Sequence, residues 1–238
     1  MLIRLANSIK DIPGVCKLDT TLSSKKETDL KFKLRSCSPT ELDGFDREQL
    51  FAMYEKNMMS HYQANGGWSS GQKQAELFHS MSRYFIVYAD NDESGADVMP
   101  SAASLDPGSQ PSVAEGGASA SPAASSEGLR SGREILAFVA FRFEWDDDEE
   151  PDFPVMYVYE MQVSSAWQGH GLGRQLMALV LKVSDRLKMT KVMLTCFVSN
   201  RGAMKFYKDM GFGRDCNSPL AMGFKVDYEV MSNRPNVK

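Results

Sequence analysis

The sequence contains few histidines and cysteines. Its 238 residues include three histidines, at positions 61, 79 and 170, and four cysteines, at positions 16, 37, 196 and 216. The histidines are too dispersed to suggest a metal site, and no two cysteines form a CxxC pair. We therefore expect no bound metal and an intracellular protein whose thiols stay reduced.

Long hydrophobic runs and an excess of basic charge are also missing. No apolar run reaches about 18 residues, and Met1 opens no secretory leader, so we expect neither secretion nor membrane insertion. Lys and Arg number 27 against 31 Asp and Glu, a formal net charge of −4. This balance argues against broad nucleic-acid binding and suits a basic ligand better.

The sequence contains a mixture of strand and helix patterns, and its 42% of hydrophobic residues suffices for one full core. Strand patterns cover residues 30–34, 84–88, 135–143, 155–163, 191–198 and 224–231. Helix patterns cover 46–59, 71–82, 174–188 and 200–210, and a helix start is indicated at 38–42. The order predicts an α/β domain with a mixed sheet.

Two segments differ in composition from this pattern. Residues 92–132 are nearly all Ser, Ala, Gly, Pro, Asp or Glu, which predicts a disordered insertion in a hairpin connection rather than a linker between domains. Residues 146–152 form a charged turn. We therefore expect a partly ordered segment at 1–40, a domain at 41–232 that contains the insertion, and a tail at 233–238.

A glycine-rich turn lies between the strand pattern at 155–163 and the helix pattern at 174–188. Its sequence, from Gln168 to Gly173, has the spacing Q-x-x-G-x-G. Glycines let backbone N–H groups converge on one spot, and the following helix adds the partial positive charge of its N-terminus. The turn therefore predicts a site for a phosphate or diphosphate, and the alternative is an ordinary strand-to-helix turn.

The glycine turn resembles the acyl-CoA diphosphate loop of the GNAT acetyltransferase superfamily. A second stretch, from Asn200 through Ala203 and Tyr207 to Gly211 and Phe212, resembles that superfamily's N-x-x-A-x-x-x-Y-x-x-x-G-F segment. The resemblance implies the GNAT fold, a mixed central sheet flanked by helices, in which two strands splay apart at the acetyl-CoA site.

Several dispersed blocks between residues 46 and 232 also resemble the NatD-type N-alpha-acetyltransferases. They include residues 53–55, 141–144, 157–163, 191–195 and 228–230. The resemblance implies transfer of an acetyl group from acetyl-CoA to the amino-terminal serine of histones 4 and 2A, which begin Ser-Gly-Arg-Gly. We also expect a monomer of the cytoplasm and nucleus that binds basic peptide tails without contacting nucleic acid or membrane.

The resemblance also assigns residues to the coenzyme. The strand should meet the pantetheine arm, the loop should hold the diphosphate with Arg174 near a phosphate, and Asn200 should contact the pantetheine or merely cap its helix. The residues expected at the coenzyme are Met161, Gln162, Val163, Gln168, Gly169, His170, Gly171, Leu172, Gly173, Arg174 and Asn200.

Three residues are candidates for the chemistry. Glu160 lies in an apolar and aromatic stretch, where partial burial would raise its pKa and make it a better base. In a regular strand Tyr159 and Glu160 point to opposite faces, and a bulge would alter this. Tyr159 then either lines the peptide groove, as the resemblance implies, or packs beneath it. By analogy with the superfamily, Tyr207 donates a proton to the departing thiolate, and the alternative is a core tyrosine.

Aromatic and polar residues are expected to form the peptide groove. The set implied by the resemblance is Tyr54, Trp68, Glu144, Tyr159, Thr195 and Tyr228, with Glu144 pairing with the substrate arginine. Two rival functions stay open: an acetyltransferase of relaxed specificity that modifies lysines or small amines, and a non-catalytic module that binds acyl-CoA or histones. Peptides with free and blocked α-amines separate the first rival from the leading hypothesis.

Overall fold

The computed structural model describes residues 2–26, 30–89, 134–146 and 153–234. The predicted insertion at 92–132 lies outside these residues, as do most of the charged turn at 146–152 and of the tail at 233–238. No helix in the described ranges is long and apolar enough to cross a membrane.

A single mixed sheet of eight strands forms the centre of the domain. Its strands run in the order β1-β2-β3-β4-β5-β6-β8-β7, and every neighbouring pair is antiparallel except β5 and β6. The strands are β1 (Leu22–Ser23), β2 (Lys31–Cys37), β3 (Arg83–Ala89), β4 (Ile135–Trp145), β5 (Pro154–Val163), β6 (Lys191–Phe197), β7 (Gly213–Arg214) and β8 (Tyr228–Asn233).

Helices cover both faces of the sheet. They are α1 (Leu2–Ser8), α2 (Ile12–Val15), α3 (Gly44–Ala64), α4 (Ser70–Leu77), α5 (Leu172–Arg186) and α6 (Arg201–Asp209). Side chains of α1, α2, α5 and α6 join one hydrophobic cluster, and those of α3 and α4 join a second. Successive residues of β3 alternate between the two clusters, with Phe85 in the first and Ile86 in the second. Because both faces of this strand are buried, its sequence is a continuous apolar run. This architecture confirms the expected α/β class.

Strands β5 and β6 part in the middle of the sheet. Their parallel pairing runs from Val155 opposite Lys191 to Val158 opposite Leu194 and stops there. Beyond it, β5 continues to Val163 paired with β4 alone, and β6 continues to Phe197 paired with β8. The divergence confirms the predicted splayed strands.

A β-bulge at Tyr159 changes which side chains of β5 face each side of the sheet. Phe141 of β4 lies opposite Val158, and the preceding Ala140 lies opposite Glu160, so Tyr159 is the extra residue. Before the bulge Val158 packs into the cluster of α5, and after it Met161 does. Glu160 therefore lies on the opposite side, toward α3, instead of sharing the face of Val158.

Some predicted boundaries were wrong. Residues 38–42 contain only one turn of 3-10 helix, which Ser38 and Glu41 cap at its start and which ends because Leu42 is extended. The long helix begins at Gly44, where the Asp43 side chain accepts a hydrogen bond from the Asp46 N–H. The last strand begins at Tyr228 rather than at residue 224, because its pairing with β6 starts at Phe197.

The first forty residues contain more structure than their sequence indicates. Helices α1 and α2 contribute Ile3, Ala6 and Ile12 to the cluster that contains α5, and β2 contributes Phe32. Strand β2 is paired with β3 from Phe32, opposite Ala89, to Cys37, opposite Tyr84. This segment is therefore part of the domain's core and sheet.

Candidate active site

A cleft of about 1200 Å³ opens where β5 and β6 part. Its walls come from the ends of these two strands, from α3, from the glycine turn and from α6. It is larger than most small-molecule sites, which suits an extended ligand. Predicted site residues that line it are Tyr54, Tyr159, Glu160, Met161, Gln162, Val163, Gln168, Gly169, Gly171, Leu172, Gly173, Arg174, Thr195, Asn200, Tyr207 and Tyr228. Trp68, Glu144 and His170 are not among the lining residues.

The glycine turn has the backbone geometry of an anion cradle. Gly169 and Gly171 have φ values of 79° and 89°, in the left-handed region that favours glycine. Gly171 is the N-cap of α5. The first N–H groups of that helix have no acceptor within it, so they face the turn together with the positive end of the helix.

The N-terminal segment fastens the glycine turn. The Lys25 N–H donates to the carbonyl oxygen of His170 at 3.0 Å, and Ser24 Oγ lies 3.0 Å from His170 Nδ1. Gln175 of α5 makes two further bonds to the backbone of Ser23. His170, assigned by resemblance to the coenzyme, thus anchors the loop with its ring and its carbonyl.

Two lysines of this segment lie over the turn. The Lys25 side chain would come within 2.9 Å of a Cβ added at Gly171, and the Lys26 ammonium within 3.4 Å of one at Gly169. With Arg174, they surround the cradle with positive charge. Sequence analysis missed both lysines, because they are about 145 residues away and no local pattern links them to the loop.

Glu160 lies half-buried in the cleft. Burial raises the pKa of its carboxyl to about 7, although hydrogen bonds from Gln162 and Tyr54 and the charge of Lys73 act to lower it. Gln162 Nε2 donates to Glu160 Oε2 at 2.9 Å. A carboxylate with such a pKa is half ionised near neutral pH and is well matched to accept a proton there.

Behind Glu160, a chain of amides leads to α3. Asn57 Nδ2 donates both to Gln162 Oε1 at 3.0 Å and to the Val163 carbonyl oxygen at 3.2 Å. Gln162, expected at the coenzyme, therefore points its buried side chain at Glu160 and Asn57. Asn57 lines the cleft and was not predicted as a site residue.

Aromatic side chains form one wall of the cleft. Tyr157 and Tyr159 are two residues apart in β5 and therefore lie on the same side of the strand, with ring centroids 4.9 Å apart. The Tyr157 hydroxyl is hydrogen-bonded to Thr195 Oγ1. The Tyr159 hydroxyl lies 3.0 Å from each carboxylate oxygen of Glu144, and the Arg142 guanidinium lies 3.7 Å from its ring centroid. Tyr159 thereby links Glu144 to the cleft.

The remaining aromatic candidates differ in accessibility. Tyr54 is 2% exposed and contacts Trp68 at 5.4 Å between ring centroids, so Trp68 supports the wall from behind. Tyr207 is also buried, and burial raises its pKa well above the ordinary value, which keeps its hydroxyl protonated. Tyr228 lines the cleft from β8.

Two predicted coenzyme contacts make internal hydrogen bonds. Asn200 Oδ1 accepts from the Ala203 N–H at 3.1 Å, so this side chain caps α6. The exposed Arg174 guanidinium contacts Met210 Sδ at 3.2 Å. Among the residues that the structure describes, no group of three or more His, Cys, Asp or Glu is placed to hold a metal ion.

The chain is similar to known acetyltransferases. A family model described as the acetyltransferase (GNAT) family matches residues 113–212. The crystal structure of NAA60 from Arabidopsis thaliana in complex with a bisubstrate analogue has a TM-score of 0.51 and 12% identity, covering 85% of this chain and 98% of that one. PH1933 from Pyrococcus horikoshii OT3 has a TM-score of 0.49 and 16% identity, covering 86% and 100%.

Over residues 113–212 the chain is thus similar to the acetyltransferase (GNAT) family, and the described residues share the fold of NAA60. Among curated proteins, N-alpha-acetyltransferase 40 from Saccharomyces cerevisiae is 39% identical over 83 residues. That match covers 32% of this chain and 29% of the yeast protein.

Proposed function

We propose that this chain is an acetyl-CoA-dependent N-alpha-acetyltransferase of the NatD type, which acetylates the amino-terminal serine of histones 4 and 2A. The observation that carries the proposal is the position of Glu160. The bulge at Tyr159 directs the Glu160 side chain into the same cleft that the glycine turn lines. The partial match to N-alpha-acetyltransferase 40 supports the choice of an α-amine as acceptor.

The cleft fits acetyl-CoA in size and chemistry. The first amides of α5, with Lys25 and Lys26, would hold the diphosphate. The edge of β5 beyond Val158 is released from β6 and would meet the pantetheine as an added strand does. Bound acetyl-CoA supplies an acetyl group activated as a thioester.

Glu160 would take a proton from the attacking amine. A chain-terminal α-amine has a reference pKa of about 7.7–8.0 and a lysine side chain about 10.4. The difference of about 2.5 units makes the α-amine easier to deprotonate by about 3.4 kcal/mol. A carboxylate whose pKa is about 7 is therefore adequate for an α-amine and poorly matched to a lysine. Tyr207, which stays protonated, would donate to the departing sulfur.

The other end of the cleft suits a basic peptide. Glu144 is held by Tyr159 at the edge of the aromatic wall, and Asp227 lines the cleft beside Tyr228. We propose that the Glu144 carboxylate pairs with the arginine of a Ser-Gly-Arg-Gly terminus. The Tyr159 hydroxyl would then shift between Glu144 and the substrate arginine. Thr195 and Tyr157 would then contact the amino end.

A matched peptide panel tests the proposal. One peptide begins Ser-Gly-Arg-Gly with a free α-amine, a second has that amine acetylated, and a third replaces the arginine with glutamate. We expect rapid acetyl transfer to the first, none to the second and at least a tenfold lower kcat/KM for the third, because its glutamate would repel Glu144 where the arginine would pair with it. Equal rates on the first two peptides would instead support lysine acetylation of relaxed specificity.

The pH dependence of the reaction should report Glu160. Because burial raises its pKa to about 7, its basic form is lost as the pH falls through 7. We expect kcat to rise between pH 6 and pH 8 with an apparent pKa near 7. Stopped assays at saturating peptide and acetyl-CoA measure the profile. A profile that is flat down to pH 5 would assign the base to a group with an ordinary carboxyl pKa.

The glycine turn gives an independent test of coenzyme binding. Gly171→Val places a β-branched residue at a φ of 89° and a Cβ within 2.9 Å of the Lys25 side chain. Left-handed backbone costs such a residue about 1–2 kcal/mol or more, so we expect CoA affinity to fall at least tenfold by calorimetry. Gly44→Ala is the control, because its Cβ meets nothing within 4 Å. Equal affinity for CoA in the two variants would contradict this site.

A further inference from the structure

We propose that Asn57 is a positioning residue that fixes the direction of a hydrogen-bond chain and thereby keeps Glu160 a proton acceptor. The inference rests on the proposed function, in which Glu160 is the base. It adds a residue of α3 that no sequence motif indicates and that lies 103 positions before Glu160.

A backbone carbonyl sets the direction of the chain. The Val163 carbonyl oxygen can only accept, so the Asn57 side chain must present its Nδ2 group to it. The same nitrogen faces Gln162, which must therefore present its oxygen, Oε1. Once its oxygen is used in this way, Gln162 has only its Nε2 group left for Glu160.

The direction of the chain matters for Glu160 because an amide can act either as donor or as acceptor. With Nε2 toward it, the carboxylate accepts a hydrogen bond in its ionised form, which lowers its pKa. With Oε1 toward it, Glu160 would have to carry the proton in order to donate. Asn57 thus selects the state of Glu160 that accepts a proton from the amine.

Other charged and titratable groups around Glu160 lie on three elements. They are Tyr54 and Tyr62 of α3, Lys73 and Glu76 of α4, and Tyr207 of α6. Lys73 is paired with Glu76 at 2.7 Å. Among the residues that the structure describes, the Gln162 side chain is hydrogen-bonded to Asn57 and Glu160. A change at Asn57 that acts through Gln162 can therefore be separated from these groups.

The test substitutes Asn57→Asp, which keeps the shape of the side chain and removes its donor. The carboxylate accepts from Gln162 Nε2, so Gln162 turns its oxygen toward Glu160. We expect the pKa of Glu160 to rise by about one unit, and kcat at pH 6 to fall about tenfold with little change in KM. Gln162→Leu provides the second background, in which no amide can turn.

The direct measurement is a carbon-13 NMR titration of glutamate side-chain carboxyls in the protein without coenzyme, with Glu160→Gln identifying the resonance. In the Gln162→Leu background, adding Asn57→Asp should leave the Glu160 pKa unchanged. An unchanged Glu160 pKa in the Asn57→Asp variant would overturn the proposal. An equal shift with and without Gln162→Leu would also overturn it, because it would show a simple effect of the added charge. If Asn57→Asp does not fold, Asn57→Ala, which frees Gln162 to turn, must raise the pKa.

This titration separates the inference from the proposed function. It needs neither acetyl-CoA nor peptide, so an inactive wild-type chain with a Glu160 pKa that responds to Asn57 would contradict only the function. A wild-type chain that acetylates peptides, but whose Glu160 pKa and pH profile ignore Asn57, would contradict only the positioning role.

Discussion

Glu160→Gln should reduce kcat by about 10²–10⁴-fold, the usual contribution of a positioned general base. Glutamine has nearly the same shape and can still bond with Gln162, so the loss would come from the missing proton acceptor. Affinity for CoA should stay within about twofold, because the substitution does not touch the glycine turn. Initial rates with the Ser-Gly-Arg-Gly peptide and calorimetry with CoA measure the two effects.

Stability distinguishes this loss from unfolding. Burial raises the pKa of the Glu160 carboxyl from its ordinary value, near 4.5, to about 7. The folded chain therefore loses stability as the pH rises from about 4.5 through 7. Glu160→Gln removes this penalty, so the variant should be at least as stable as the wild type at pH 8. The control is Glu48→Gln on the exposed side of α3, which should retain full activity. Full turnover by the Glu160 variant would refute its role as base.

Lys191→Met should destabilise the fold by about 3–5 kcal/mol, the cost of leaving buried charges without their partner. The Lys191 ammonium is 1% exposed and lies 2.8 Å from a carboxylate oxygen of Asp146 and 2.8 Å from one of Asp215. It therefore ties the ends of β4 and β6 to the segment after β7. Methionine fills a similar volume, so the loss would report charge rather than packing.

Urea unfolding of the variant measures this effect. Lys182→Met is a matched control, because Lys182 is exposed on α5. Burial acts to raise the pKa of Asp215, but hydrogen bonds from Lys191 and its neighbours outweigh it and lower the pKa. Adding Asp215→Asn to Lys191→Met should therefore recover part of the stability. A loss below about 1 kcal/mol would show that solvent reaches the three charges.

The central elements of the fold could be predicted because their local patterns are strong. Strands β3 and β4 are continuous apolar runs, since both of their faces are covered, and α5 follows a glycine turn at its start. Helices α1 and α2 could not be predicted. They have seven and four residues and are stabilised mainly by burying Ile3, Ala6 and Ile12 against distant parts of the chain.

The site was predictable where its residues are close in sequence. Glu160 and the glycine turn lie within one strand–turn–helix unit, and the possible bulge at Tyr159 followed from strand alternation. Asn57, Lys25 and Lys26 reach the same cleft from α3 and the N-terminal segment. Their positions depend on the packing of α3 and β1 against the sheet and the loop, which no local pattern records.

Tandem mass spectrometry of one peptide tests the central claim most directly. The peptide begins Ser-Gly-Arg-Gly, carries free lysines further along, and is incubated with acetyl-CoA and the wild-type chain or the Glu160→Gln variant. We expect a single added acetyl group on the serine α-amine with the wild type and almost none with the variant. An acetyl group on lysine alone, or equal acetylation of the α-amine by both chains, would contradict the account.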